Sequence, residues 1–195
     1  MMRLFVALSI PDAVAQSLLL LEGGVPGARW QAREQLHLTL RFIGEVDGRD
    51  ARALDDALAG IAAPAFDLQL HGVGQFGNKQ PHSLWAGARK NEMLEHLQRK
   101  VDTAIRRVGQ PPSSGDKHAH KFNPHITLAR LRHPELDKVR QWLTDHALYT
   151  SAEFPVDAFC LYSSKLTSDG SIYRVEQEYP LRGFDAGGFD DQADD

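Results

Sequence analysis

Leu36-His37-Leu38-Thr39-Leu40-Arg41-Phe42 alternates apolar and polar residues without a break. Successive side chains of a β-strand point to opposite faces. The stretch therefore predicts a strand over Leu36 to Ile43, with Leu36, Leu38, Leu40 and Phe42 on a buried face. His37, Thr39 and Arg41 then share the accessible face. An imidazole, a hydroxyl and a guanidinium in one row can all donate hydrogen bonds in one direction, which outlines an anion site.

The pattern recurs 88 residues downstream as His125-Ile126-Thr127-Leu128. His125 and Thr127 face together there, and Ile126 and Leu128 face inward. Arg130 falls out of phase and reaches the same face only if the strand ends or bulges near Ala129. One His-x-Thr triplet is an ordinary product of an alternating strand. Two, each in the same apolar frame, read as one shared site, because paired titratable groups converge at active sites.

Outside these strands, the chain alternates strand and helix. Leu4–Ser9, Phe66–Phe76, Leu84–Ala88, Phe154–Ser163 and Tyr173–Leu181 read as strands. Ala13–Glu22, Asp50–Ala62, Glu92–Val108 and Glu135–His146 read as helices. The clearest is Glu92–Val108, with Leu94, Leu97, Val101, Ile105 and Val108 along one stripe. Gly109–Phe122 reads as a loop. Each half supplies strands and about two helices, and no linker divides them. The expectation is one α+β domain over residues 1–184, made of two similar lobes.

Composition sets the outer limits. A chain of 195 residues, 42% hydrophobic and 25% charged, is long enough for one well-buried core and is not a disordered composition. No apolar run approaches the roughly 20 residues of a membrane helix. Arg3 and the apolar run Leu4–Ile10 are followed at once by Pro11-Asp12, which reads as a first strand entering a helix rather than a leader. With a single cysteine, Cys160, the chain cannot form an internal disulfide, and a cytoplasmic setting is expected. The five aspartates among residues 185–195 exceed the whole net charge of −4, leaving the body slightly basic. That segment reads as a solvated acidic tail. A short anionic ligand suits such a body better than an extended duplex.

The residues that carry these readings resemble the bacterial and archaeal RNA 2′,3′-cyclic phosphodiesterases of the 2H phosphoesterase superfamily, the group also called 2′-5′ RNA ligases. The likeness runs from Arg3-Leu4-Phe5-Val6-Ala7 through Ala28-Arg29-Trp30, both His-x-Thr motifs and Leu84-Trp85-Ala86-Gly87 to Leu161-Tyr162-Ser163-Ser164. Phe122-Asn123-Pro124-His125-Ile126-Thr127-Leu128-Ala129-Arg130 is typical of this branch. The resemblance implies a bilobal, duplicated fold with two antiparallel-rich sheets facing a central cleft and helices outside. It implies metal-independent hydrolysis of 2′,3′-cyclic phosphate ends of RNA, or of cyclic nucleotides, to 2′-phosphates, with a reversible 2′-5′ RNA ligase activity beside it. No cofactor is expected, and neither is a membrane or an obligate protein partner, so the chain is expected to be a monomer. His37 would be the proton donor and His125 the proton acceptor. The sequence by itself supports the pair and leaves open which is which. Thr39, Thr127, Arg130 and Arg41 would hold the phosphate.

Other readings compete for some residues. Phe76 and Tyr162 stand at strand ends, where they can either pack the core or stack on a base; Trp85 reads as core. His118 and His120 with His125 could suggest a metal site, but they lie in a Gly-, Ser- and Lys-bearing loop without a patterned ligand set. No metal is expected. A non-catalytic module holding a nucleotide end in the same cleft is the alternative; binding alone needs donors, not two imidazoles in opposite protonation states.

Overall fold

The computed structural model describes residues 1–109, 122–167 and 170–182. The acidic tail, and the loop residues His118 and His120, lie outside them. Ten strands and four helices are described, in the order β1 (Met2–Ser9), α1 (Asp12–Leu19), β2 (Ala28–Trp30), a 3-10 turn (Arg33–Gln35), β3 (His37–Val46) and α2 (Gly48–Ala59). There follow β4 (Phe66–Leu68), β5 (Leu70–Phe76), β6 (Ser83–Ala88), α3 (Glu92–Arg107), β7 (His125–Leu131), α4 (Leu136–Asp145), β8 (Phe154–Val156), β9 (Ala158–Thr167) and β10 (Gly170–Pro180). This is the expected α+β class.

The strands run in one antiparallel path, β10-β9-β1-β3-β7-β6-β5, with β2 beside β7 and a separate β4–β8 pair. Between β3 and β7 the path rests on a single pair, Leu38 opposite Ile126. The sheet is thus two four-stranded halves touching at one point. One lobe holds β10, β9, β1 and β3; the other holds β2, β7, β6 and β5. The lobes are not the two halves of the sequence. The C-terminal strands complete the sheet of the N-terminal ones, while the middle of the chain builds the other lobe. Alternation in a sequence specifies which side chains are buried, not which strand edges pair, so the exchange left no trace in the pattern.

Helices cover the outer faces. The apolar stripe of α3 buries Leu94, Leu97, Val101 and Ile105, each worth about 1.5–3 kcal/mol relative to exposure. Asn91 caps its start by accepting a hydrogen bond from the Leu94 amide at 3.0 Å. Asp47 caps α2 through the Arg49 and Asp50 amides, both at 2.8 Å. These two helices back the β1–β3 lobe, where Tyr179 donates to Asp55 at 2.7 Å. Helix α4 packs on the other lobe against the turn that follows α1: Trp142 donates from Nε1 to the Leu21 carbonyl at 2.9 Å, and its ring stands 5.8 Å from that of Trp30 on β2. Among the described residues no helix is long and apolar enough to cross a membrane.

Two β-bulges set the phase of the strands that matter. Against β1, β3 pairs Thr39 with Ala7 and then Arg41 with Val6, so Leu40 is an extra residue. Against β6, β7 pairs Thr127 with Trp85 and then Ala129 with Leu84, so Leu128 is an extra residue. A bulge of this kind flips every side chain after it. The first seven residues of β3 and all seven of β7 consequently share one burial pattern: half-buried at His and Thr, buried at the bulge pair, exposed at the sixth position.

Candidate active site

The bulges decide which predicted residues share a face. Arg130, out of phase in the sequence, is brought back beside His125 and Thr127. In β3 the same device turns Arg41 away. Its side chain is only 7% exposed and its Nη1 lies 2.6 Å from Oδ1 of Asp102 on α3, behind the sheet. The expectation that Arg41 lines the site is therefore wrong. Phe42, expected in the core, is 53% exposed on the site face, with its ring 5.9 Å from that of Phe5. Position by position, Phe42 is the counterpart of Arg130, and Arg41 of Ala129.

The two histidines are held in the same way. His37 Nδ1 lies 2.8 Å from the carbonyl of Gln35, and His125 Nδ1 lies 2.7 Å from the carbonyl of Asn123. Each carbonyl belongs to the residue two before the histidine. A carbonyl can only accept, so the neutral imidazole carries its hydrogen on Nδ1 and presents Nε2 as a lone pair. Extending the Leu38–Ile126 register by one residue each way sets His37 across from Thr127 and Thr39 across from His125. The imidazoles stand on the diagonal of that quartet, where neighbouring residues are about 7–8 Å apart and their Cβ atoms somewhat closer. Neither threonine hydroxyl has a hydrogen-bond partner among the described residues.

Each ring leans on its own aromatic wall. His37 stacks at a tilt on Phe5, 4.8 Å between centroids, and meets the edge of Tyr173 at 5.1 Å. Phe5 in turn stacks on Tyr162 at 5.1 Å, whose hydroxyl lies 2.8 Å from Ser9 Oγ. His125 meets Phe76 edge-on at 4.8 Å and lies 6.1 Å from Trp85. Phe76 and Tyr162 thus belong to the site's surround. Trp85, expected in the core, is half-buried on the site face and lies flat across Gly74, where a methyl group would overlap its ring. Glycine is needed there for close approach, not for a turn.

This burial shapes the charge of the pair. His37 is pushed down to about 4, chiefly by desolvation and further by the charges of His125 and Arg130; the Gln35 carbonyl opposes the shift. Desolvation also lowers His125, followed by Arg130, against the Asn123 carbonyl. The guanidinium of Arg130 is therefore within electrostatic reach of both rings, and each ring is uncharged at neutral pH. Among the described residues no three His, Cys, Asp or Glu side chains gather as a metal-binding group. The arrangement offers two Nε2 atoms, two free hydroxyls and one guanidinium converging from two strands on one patch. It can hold an anion and pass protons on both sides of it.

The residues that sequence reasoning missed are Phe5, Tyr173, Phe42 and Trp85, which wall the site, and the carbonyls of Gln35 and Asn123. The backbone acceptors have no side-chain signature. The walls were legible only as strand aromatics, without their partners.

Comparison with known proteins identifies the family and the fold. The family model described as the 2′-5′ RNA ligase superfamily matches residues 20–167. An RNA 2′,3′-cyclic phosphodiesterase from Thermotoga maritima is 31% identical over 190 residues, covering 93% of this chain and 97% of that one. The enzyme of the same name from Thermus thermophilus is 33% identical over 192 residues, covering 93% and 91%. Among solved structures, the Thermus thermophilus protein TT0787 superposes with a TM-score of 0.76 at 29% identity, over 94% of this chain and all of that one.

Proposed function

Because the chain belongs to the 2′-5′ RNA ligase superfamily, we propose that it hydrolyses 2′,3′-cyclic phosphate ends of RNA by general acid–base catalysis between His37 and His125. The observation that carries the reading is the matched pair of imidazoles, each fixed at Nδ1 by the carbonyl two residues back, with both Nε2 atoms left for chemistry.

A water molecule attacks phosphorus and gives its proton to Nε2 of neutral His125. The bond from phosphorus to the 3′ oxygen breaks, and Nε2–H of protonated His37 donates to that oxygen. The product is a 2′-phosphomonoester, and the two histidines exchange protonation states. Thr39 and Thr127 donate to the non-bridging oxygens, where charge grows in the transition state, and Arg130 neutralises part of it. Both histidines are depressed in the free protein, so the substrate's negative charge supplies the attraction that keeps His37 protonated in the complex. Position and acid–base work together are worth several orders of magnitude in rate. With a 5′ hydroxyl in place of water as the attacking group, the same step joins the two ends in a 2′-5′ linkage: the 5′ hydroxyl gives its proton to His125, the bond from phosphorus to the 3′ oxygen breaks, and His37 protonates that oxygen.

The test is phosphorus NMR of the products formed from a 2′,3′-cyclic mononucleotide in the presence of EDTA. The expected signal is the 2′-phosphate alone, at a rate untouched by the chelator. No turnover, or accumulation of the 3′-phosphate, overturns the assignment.

A further inference from the structure

Resting on the function just proposed, we propose that Arg29 is a specificity-determining residue that binds the internucleotide phosphate preceding the cyclic one, so that the enzyme favours RNA ends over mononucleotides. Arg29 lies on β2 directly opposite Arg130 on β7. Directly opposed residues of an antiparallel pair share a face, with Cβ atoms about 4.5–5.5 Å apart. Two guanidiniums in that position repel, and like charges directly opposite destabilise a sheet. Neither has a carboxylate partner among the described residues, and both are exposed on the site side. An anion between them removes the repulsion.

The row continues into β6, where Ser83 is opposite Arg130. Its side chain is 1% exposed, and its Oγ has no hydrogen-bond partner among the described residues. A hydroxyl and two guanidiniums across three strands thus extend the site beyond Thr127, away from the histidines. The internal duplication breaks at this very place. The counterpart of Arg130 in the other lobe is Phe42, so a second phosphate has donors on one side of the site only. That asymmetry gives the substrate a direction: the cyclic end at the histidines, the upstream chain over β7 and β2. Arg29 also lies against the β9–β10 hairpin, where a methyl group at Gly170 would overlap its Nη2. A purely structural strut for that hairpin is the competing role, and the test separates the two.

The experiment compares kcat/KM for a 2′,3′-cyclic mononucleotide with that for a trinucleotide ending in the same cyclic phosphate. The wild type prefers the trinucleotide. In Arg29→Ala the preference falls about tenfold, through KM, as expected for loss of one charged donor; Arg29→Lys restores part of it. The dependence of the trinucleotide reaction on log salt becomes shallower by about 0.7, the share of one single-strand phosphate contact. A strut role lowers both substrates equally and leaves the ratio and the salt slope unchanged, which overturns the proposal. A wild type without preference overturns it as well. A wild type that turns over neither substrate defeats the underlying function instead.

Discussion

Arg41 and Arg130 stand near matching places in the two motif strands, and the bulges send them to opposite sides of the sheet. Replacing each with alanine therefore separates stability from chemistry. Arg41 is 7% exposed and Asp102 19%, with 2.6 Å between them. Removing one partner of a buried pair costs about 3–5 kcal/mol. Asp102 keeps Arg106, whose Nε lies 2.7 Å from its other oxygen, so the lower end, about 3 kcal/mol, applies. For a chain of this length that lowers Tm by about 6–12 °C. Arg130 is exposed, and its replacement shifts stability by no more than about 0.5 kcal/mol. In kcat/KM, measured well below either melting temperature, the order reverses. Arg130→Ala loses about 10- to 100-fold, the worth of charged hydrogen bonds to phosphate, while Arg41→Ala stays within about threefold of the wild type. Differential scanning calorimetry and cyclic-nucleotide turnover on the same preparations supply both readings. Equal losses of activity without a fall in Tm for Arg41→Ala would refute the bulge argument.

Three further outcomes follow from the site. The pH profile of kcat/KM is a bell whose apex lies below the ordinary histidine value of about 6.5, because burial depresses both members of the coupled pair; an apex above pH 7, or a flat profile, contradicts it. Stability also depends on pH with a definite sign: His37 titrates near 4 folded and near 6.5 unfolded, so the unfolded chain binds the proton first. Folding free energy is then full above about 6.5 and falls as pH drops towards 4, by up to about 3 kcal/mol, and thermal melts of His37→Gln show a weaker decline than the wild type over that window. Gly74→Ala forces the Trp85 ring off its seat beside His125, costing about 1–3 kcal/mol and lowering turnover; tryptophan fluorescence reports the displacement, and an unaltered spectrum with full activity denies the packing.

The sequence made the two rows legible as far as Thr39 and Thr127, because two-residue periodicity holds up to each bulge. Beyond it the reading went astray in β3, where Arg41 and Phe42 exchanged faces, and required an irregularity in β7, where Arg130 needed one to reach the site. A bulge is one extra residue opposite a partner strand, and the strand's own letters do not contain the partner. The same limit explains the strand exchange between the lobes and the pairing of Arg29 with Arg130, which joins residues about 100 positions apart. Trp85 was misplaced because an aromatic residue on an apolar strand looks the same on either face; Gly74 and Gly87, which make room for its ring, stood in plain view but pointed to it only once paired. The helices were easier, since the α3 stripe is local.

The central claim is that both imidazoles act on one phosphorus atom, and a double-mutant cycle reads it directly. Turnover of a 2′,3′-cyclic mononucleotide by His37→Ala and by His125→Ala should each fall by a factor of about 10² to 10⁴, with the double variant scarcely lower than the worse single one, as for groups that work as a unit. Full activity in either single variant, or losses that simply multiply, would contradict it.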